Sequence, residues 1–361
     1  MEKSGDRTPT LRDVARLAGV SVNTVSVILN ERSRAEHYAD ETKEKVREAA
    51  LTLGYSPNPL AQVLKRKRSK LIGVIVFTRE SSFYTAILQA ADAAILDTGF
   101  ETVTADMARR FDRLSQCINL VMAWRVEGIL AILGGHPLAY DLLERLHAQG
   151  TPVVAVGPFR GDAPFPMLNM DNFSAGQALG RHLLGLGHRR FAVLSGSREH
   201  DCSLNRVAGL RSALAEAGLE LPEDRIVWAE NCRFEVATGY RNANRVLELT
   251  PQPTAVVCIN DELAVGAMSR FREQRLRIPE DLSVTGFDDG FLGDSSVEEN
   301  RLGLHTAPRL TTMRIPLLRM GHAAAERLLT LIHREDGSEE NRQISFPTEL
   351  ILRESTGPAP E

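Results

Sequence analysis

The chain has 361 residues, 43% of them hydrophobic and 25% charged, and a net charge of −4. This length predicts two or three domains, and the composition excludes a disordered or fibrous protein. The longest apolar runs, at 71–77 and 128–133, are strand-sized and exclude a membrane-spanning segment there.

Charge is distributed unevenly along the chain. Residues 1–70 hold 14 Lys and Arg against 9 Asp and Glu, a net +5, which leaves −9 for the other 291 residues. A basic head on an acidic body suits a protein that presents one end to a polyanion. The first ten residues are polar, and four widely spaced cysteines have no zinc-site spacing. We therefore expect a cytoplasmic protein with reduced thiols, without a secretory signal, metal or cofactor.

Residues 10–29 predict a helix-turn-helix. Thr10 and Asp13 have capping-box spacing at the start of a first helix, and Gly19 permits the positive φ that ends it. Ser21 is the expected N-cap of a second helix. Its predicted exposed side chains are short enough for a close approach to the major groove: Val22, Asn23, Ser26 and Val27. By periodicity alone, an ordinary αα-hairpin explains this stretch equally well.

A third helix is predicted at 40–53, with Gly54 beyond its end. Two prolines then stop the helical pattern, and a short helix with a basic tail is expected between 57 and 70. A helix this short is nearly unfolded alone in water, so it needs a partner, for which the basic tail favours nucleic acid.

From residue 71 onward, apolar strand patterns alternate with helical patterns. This alternation predicts parallel sheets with helices on both faces, and it begins again near residue 171. We therefore predict an α/β body of two doubly wound parallel-sheet lobes with a cleft between them. Ligands of such sheets bind beyond the carboxyl ends of the strands.

Six strings in this order resemble the LacI family of bacterial transcription regulators. They are TLRDVARLAGVSVNTVSVILN, LGYSPNPLAQVL, INDELAVGAM, DLSVTGFDD, LTTMRIP followed by MG, and FPTELILREST. The resemblance implies a homodimeric regulator, a repressor, that binds a palindromic operator. It also implies a body similar to periplasmic binding proteins, which closes around a small effector between the two lobes and thereby changes the affinity for DNA.

The resemblance implies three domains. A helix-turn-helix domain would cover 1–56, a hinge 57–70, and an effector-binding and dimerisation domain 71–361. Within the last, the N-lobe would comprise about 71–170 and 314–337, and the C-lobe about 171–313 and 338–361. The short tail after 356 has no leucine heptads for a tetramerising helix, although dimer and tetramer both stay open.

The resemblance also implies which residues contact DNA. Asn23 matches a base-reading position, whereas Val27 departs from the Arg or His common in the family. Ala39 departs from the Ser that usually caps the third helix, so we expect Asp40 to shift that cap by one residue. The full expected set is Ser21, Val22, Asn23, Thr24, Ser26 and Val27 in the helix-turn-helix, with Ala61, Leu64 and Lys65 in the hinge. Ser21, Thr24 and Ser26 would contact phosphates. Leu64 would be wedged into the central minor-groove step, and the alternative is that it packs on its own domain.

The effector set implied by the resemblance is Phe83, Arg206, Asn260 and Asp288. The donors and acceptors of the last three suit a polyhydroxylated ligand, so we expect a sugar or sugar acid. For Phe83 and Tyr84, a role in the core is equally compatible with the sequence. Asp261 and Asp289 are expected to be structural. The stretch 290–309 is longer than the family pattern and would either shape the ligand site or form a surface excursion.

Two rival functions were weighed. An enzyme is disfavoured because the sequence contains no nucleophile elbow, Walker loop, HExxH or dinucleotide-binding glycine motif. A sugar-binding protein of the periplasmic type shares the expected body, but it would need an export signal and no helix-turn-helix.

Overall fold

The computed structural model describes residues 9–30, 35–56, 68–133, 137–157, 163–198, 200–229, 234–333 and 343–361. The chain divides into two compact units, Met1–Ser69 and Lys70–Glu361. Among the helices of the described residues, none has the length and apolar character needed to cross a membrane.

The described residues of the N-terminal unit form three helices around a small core. They are α1 (Leu11–Ala18), α2 (Val22–Asn30) and α3 (Asp40–Leu53). The largest buried side chains of this core are Val14, Val25, Ile28 and Val46. Leu17, three residues after Val14 in the helical pattern, is 54% exposed. Because the buried face of α1 is centred between residues 14 and 15, Leu17 falls on its flank.

The helices of this unit begin and end at the capping residues that the sequence predicts, with one exception. The Asp13 carboxylate accepts hydrogen bonds from the backbone N–H (3.0 Å) and hydroxyl (2.6 Å) of Thr10, and Gly19 ends α1 with φ 66°. Ala39 is the N-cap of α3 and has no side-chain hydrogen bond. The expected shift of the cap to Asp40 is therefore wrong: Asp40 is already helical, and its carboxylate accepts from Lys43.

The N-lobe of the second unit is a six-stranded sheet with helices on both faces. The sheet order is β11-β5-β4-β3-β1-β2, and every pair in it is parallel. Its strands are β1 (Leu71–Val76), β2 (Glu101–Asp106), β3 (Gly128–Ile132), β4 (Val153–Val156), β5 (Met167–Met170) and β11 (Gln343–Phe346). Its helices are α4 (Ser82–Ile95), α5 (Leu114–Ala123), α6 (Pro137–Ala148) and α11 (Leu317–His333).

The C-lobe is a four-stranded parallel sheet in the order β7-β6-β8-β9. Its strands are β6 (Phe191–Leu194), β7 (Ile226–Val227), β8 (Ala255–Cys258) and β9 (Ser283–Thr285). Its helices are α7 (Asn172–Gly185), α8 (Asp201–Glu216), α9 (Val236–Leu247) and α10 (Asp261–Glu273). The central strands are buried on both faces, as their continuous apolar runs predicted.

Three chain segments connect the lobes. The first lies between β5 and α7, and the other two contain β10 (Thr312–Arg314) and β12 (Glu349–Ile351), which pair antiparallel with each other. The assignment of all of 338–361 to the C-lobe is wrong for β11. This strand pairs in parallel with β5 in the N-lobe sheet, so the chain returns to the C-lobe only after Phe346.

Candidate functional site

The outer face of α2 has the composition expected of a DNA-reading surface. Val22 is 43% exposed, Asn23 is also exposed, and Ser26 and Val27 are partly exposed. Val25 and Ile28, on the opposite face, pack into the core of the unit. The helix therefore presents short side chains outward from a rigid support.

Ser21 acts as the predicted N-cap of α2. Its Oγ accepts a hydrogen bond from the backbone N–H of Thr24 (3.0 Å) and shares a second one with the Thr24 hydroxyl (2.8 Å). Both hydroxyls remain at the surface while they fix the start of the helix. The hinge residues of the expected set, Ala61, Leu64 and Lys65, lie outside the described residues.

A cleft opens between the two lobes at the carboxyl ends of their strands. Its empty volume, including the part open to solvent, is about 510 Å³. The N-lobe contributes one wall and the C-lobe the other. The lining residues are Ser81, Phe83, Tyr84, Leu133, Met170, His200, Cys202, Arg206, Phe234, Ile259, Asn260 and Asp288. All four residues predicted to bind the effector are among them.

Arg206 is a buried cation fixed on several sides. Its Nε donates to Asn172 Oδ1 (2.8 Å), Nη1 to the Ile259 carbonyl (2.5 Å) and Nη2 to Asp288 Oδ1 (3.2 Å). The guanidinium also stacks on the ring of Phe287, with 3.5 Å between Cζ and the ring centroid. Within the part of the chain that the structure describes, one N–H on each terminal nitrogen has no partner and can donate to a ligand.

Asp288 lies beside Arg206 on the same wall of the cleft. It adopts a positive φ of 101°, in a segment tied to β10 by the hydrogen bond from its N–H to the Met313 carbonyl (2.8 Å). Burial raises the pKa of Asp288 to about 6, although Arg206 opposes this shift. Among the described residues, its Oδ2 has no hydrogen-bond partner and is left to accept from a ligand hydroxyl.

Asn260 lines the cleft and also makes two hydrogen bonds that stabilise the C-lobe. Its Oδ1 caps α10 by accepting from the Leu263 N–H (2.9 Å), and its Nδ2 donates to the Phe234 carbonyl (3.0 Å). Counting partners among the described residues, one amide N–H remains for a ligand. Asn260 therefore positions the aromatic wall at Phe234 as well as offering a donor.

The other part of the cleft is aromatic. Phe83 packs edge-on against Tyr84, with ring centroids 5.0 Å apart, and His200 lies 5.3 Å from Phe234. Phe83 and Tyr84 both line the cleft, and both also pack against the hydrophobic core. The sequence analysis missed His200, Cys202 and Phe234. Their positions after β6 and β7, at carboxyl ends of parallel strands, were the available signal.

Asp261 and Asp289 have structural roles, as expected. Asp261 accepts from the Thr312 hydroxyl (2.5 Å) and the Gly290 N–H (2.9 Å), and burial raises its pKa well above the ordinary range. Asp289 is fully buried among three arginines of the connecting region: Arg301, Arg314 and Arg353.

Comparison with known families decides the assignment. Residues 10–58 match the model described as "Bacterial regulatory proteins, lacI family". Residues 69–354 match "Periplasmic binding proteins and sugar binding domain of LacI family". The chain belongs to the LacI family. It is a DNA-binding transcriptional regulator with an effector-binding body, and its relatives are repressors rather than enzymes.

Individual relatives match over nearly their whole length. The HTH-type transcriptional repressor PurR of Mannheimia succiniciproducens is 33% identical over 348 residues, covering 96% of this chain and 98% of the relative. That of Erwinia tasmaniensis is 32% identical over 354 residues, covering 97% and 98%.

Two solved structures give the same result. The Lac repressor dimer bound to operator and the anti-inducer ONPF has 26% identity and a TM-score of 0.79, with 97% of this chain and 100% of that chain covered. The complex of the transcriptional regulator CelR with cellobiose has 28% identity and a TM-score of 0.68, with 96% and 99% covered. LacI-family repressors bind operator DNA and small effectors, and they function as dimers.

Proposed function

We propose that this LacI-family regulator represses transcription as a cytoplasmic homodimer on a pseudo-palindromic operator. We further propose that its operator affinity is set by a sugar or sugar acid held in the cleft between the lobes. The observation that carries the effector proposal is the buried Arg206–Asp288 pair, which faces an aromatic wall across the cleft.

This combination of groups fits a hydroxylated ring. Asp288 Oδ2 accepts from a hydroxyl, while Arg206 and Asn260 donate to oxygen atoms. The rings of Phe83 and Phe234 offer apolar surfaces for the C–H face of a sugar. A sugar acid would add a carboxylate beside Arg206. The cellobiose bound by the relative CelR supports the same ligand class.

Effector control is tested best at Asp288. Arg206→Ala would leave Asn172, Ile259 and Asp288 without their donor, so it would also disturb the body. Asp288→Asn keeps an oxygen for Arg206 but replaces the free acceptor Oδ2 by an amide NH2 group, which can only donate. We expect it to weaken effector binding at least ten-fold, since a hydrogen bond to a charged group contributes about 1.5–3 kcal/mol.

The measurement uses a thermal-shift screen of sugars, polyols and sugar acids on the wild type, followed by titration of each hit. Asp294→Asn, an exposed aspartate near the start of the long loop, is the matched control and should bind as the wild type does. A hit that Asp288→Asn binds with unchanged affinity would place the effector elsewhere. A screen that finds only ligands of other classes would exclude the sugar proposal.

The DNA proposal assigns reading of bases to α2 and shape recognition to the hinge at 57–70. Asn23→Ala should relax base preference at one position per half-site by about 1–3 kcal/mol. Leu64→Ala should weaken operator binding much more than binding to random duplex, because only the bent complex uses a wedged side chain. Titration of both variants against an operator selected from random duplexes, over a range of salt, separates these effects. Protection of a single asymmetric site by a monomer would contradict the dimer.

A further inference from the structure

The segment Gly290–Arg309, which follows β9 and is called the strap here, is an ordered loop. Phe291 pairs with Arg301 in an antiparallel bridge, flanked by hydrogen bonds from the Leu292 N–H to the Asn300 carbonyl (2.7 Å) and from the Leu302 N–H to the Gly290 carbonyl (2.8 Å). Two short 3₁₀ turns, Glu298–Asn300 and Leu302–Leu304, complete it. The strap therefore has a fixed shape of its own.

One end of the strap is anchored where the chain crosses between the lobes. Arg301 donates from Nη1 to the Asp289 carbonyl (2.6 Å), and its Nε lies 3.4 Å from the Asp289 carboxylate. Its guanidinium also covers the ring of Phe291 at 4.2 Å. Arg301 is only 7% exposed and Phe291 3%, so this anchor is part of the packed interior.

The other contact of the strap is made with the opposite lobe. Ser295 donates from its hydroxyl to Gln89 Oε1 (2.6 Å), and its backbone N–H points to the same atom (3.3 Å). Gln89 lies on α4 of the N-lobe. Ser295 is only 3% exposed, whereas Asp294 and Ser296 on either side are exposed. Burial of a serine in a surface loop is tolerated because its hydroxyl is satisfied across the lobe boundary.

Other contacts between the lobes lie beside the strap. Arg109 of the N-lobe pairs with Glu235 of the C-lobe at 2.7 Å, and Ser82 Oγ donates to Glu262 at 3.3 Å. Together with Phe291, Leu292 and Leu302 of the strap, these residues line one chamber at the mouth of the cleft. The strap thus forms a third wall of this chamber, on the side that the two lobes alone would leave open.

We propose that the strap restrains the opening of the lobes through the contact between Ser295 and Gln89. Because one end is fixed at the lobe connection and the other is docked on α4, separation of the lobes has to break this contact. The strap then biases the equilibrium between lobe arrangements, which is the equilibrium that any effector of the cleft must shift. This proposal goes beyond the effector site and does not depend on the identity of the effector.

The test is hydrogen exchange of the full-length protein without any ligand. Ser295→Ala should speed exchange about three- to ten-fold in peptides around Arg109 and Glu235, which face the lobe boundary but do not touch Ser295. Gln89→Ala, on the exposed side of α4, should have the same effect, and the double variant should add nothing further. Ser296→Ala is the matched control, because its hydroxyl donates to Asp294 within the strap and to no other residue that the structure describes.

The proposal fails if Ser295→Ala speeds exchange only inside 290–309, since the strap would then be a surface loop without influence on the lobes. It also fails if Ser296→Ala opens the boundary equally, or if the effects of the two single variants simply add. A lost effector site would change none of these ligand-free rates, so the two proposals fail separately.

Discussion

At the level of single residues, the wall of the cleft is built from contacts between segments far apart in the chain, such as the 3.2 Å pair between Arg206 Nη2 and Asp288 Oδ1. Arg206 and Asp288 were expected as separate ligands, and the structure joins them in one buried pair. The two structural hydrogen bonds of Asn260 could not be predicted from the sequence, because they require the chain after β7 to lie next to the start of α10. Such contacts join residues far apart in the chain, so no local pattern encodes them.

Glu262 gives a pH-dependent prediction. Burial at the lobe boundary raises its pKa to about 7, against 4.5 for an ordinary glutamate. Between pH 4.5 and 7, the Glu262 carboxyl is therefore protonated in the folded state and ionised in the unfolded state. The free energy of unfolding consequently falls as the pH rises through this window. Glu262→Gln keeps an oxygen for Ser82 and should be more stable than the wild type at pH 8, by about 2 kcal/mol, but not at pH 5.

Urea unfolding at the two pH values measures this difference. Both tryptophans, Trp124 and Trp228, lie in the unit formed by Lys70–Glu361, so their fluorescence reports its unfolding. Glu248→Gln, on an exposed side chain beyond α9, controls for the loss of one negative charge. An equal gain at pH 5 and pH 8 would show that the effect is not the ionisation of Glu262.

At the level of elements, periodicity and turn chemistry predicted α1 to α10, β1 to β4 and β6 to β9, but they did not single out β5, β10, β11, β12 or α11. The omission that changed the lobe assignment was β11. Its sequence, QISF, is short and only partly buried, so it has no feature that assigns it to one lobe. Its pairing with β5, more than 170 residues earlier, decides its place, and that pairing depends on the packing of the whole lobe.

Helix caps give a prediction at this scale. Ala39 precedes α3 with an extended backbone and no side-chain acceptor, whereas Ser21 caps α2. Ala39→Ser should therefore stabilise the N-terminal unit by about 1 kcal/mol, and Ser21→Ala should destabilise it by a similar amount. Hydrogen exchange of amides in α3 of the full chain measures both changes. Ser26→Ala, within α2, serves as the control for the loss of a hydroxyl. The cap assignment would be contradicted if the amides of α3 exchanged more slowly in Ser26→Ala than in Ala39→Ser.

For the molecule as a whole, the junction between the lobes is organised around one carboxylate. Asp289 is fully buried, and its oxygens lie 2.7 Å from Arg353, 2.8 Å from Arg314 and 3.4 Å from Arg301. These arginines come from the strap, from β10 and from the chain after β12. The carboxylate of Asp289 therefore holds together the chain segments that connect the two lobes.

We therefore predict that Asp289→Asn destabilises the body far more than the loss of any surface ion pair. Removing the carboxylate leaves Arg353, 8% exposed at its side chain, without a counter-charge among the described residues, whereas Arg301 keeps its pair with Glu298 at 2.7 Å. Breaking a buried pair by removing one partner costs about 3–5 kcal/mol. Glu354→Gln breaks the exposed pair with Arg309, which is only 2.6 Å long, yet should cost less than about 1 kcal/mol. Urea unfolding followed by tryptophan fluorescence compares the two variants. Similar small losses for both would mean that the arginines find other partners and that the junction does not depend on Asp289.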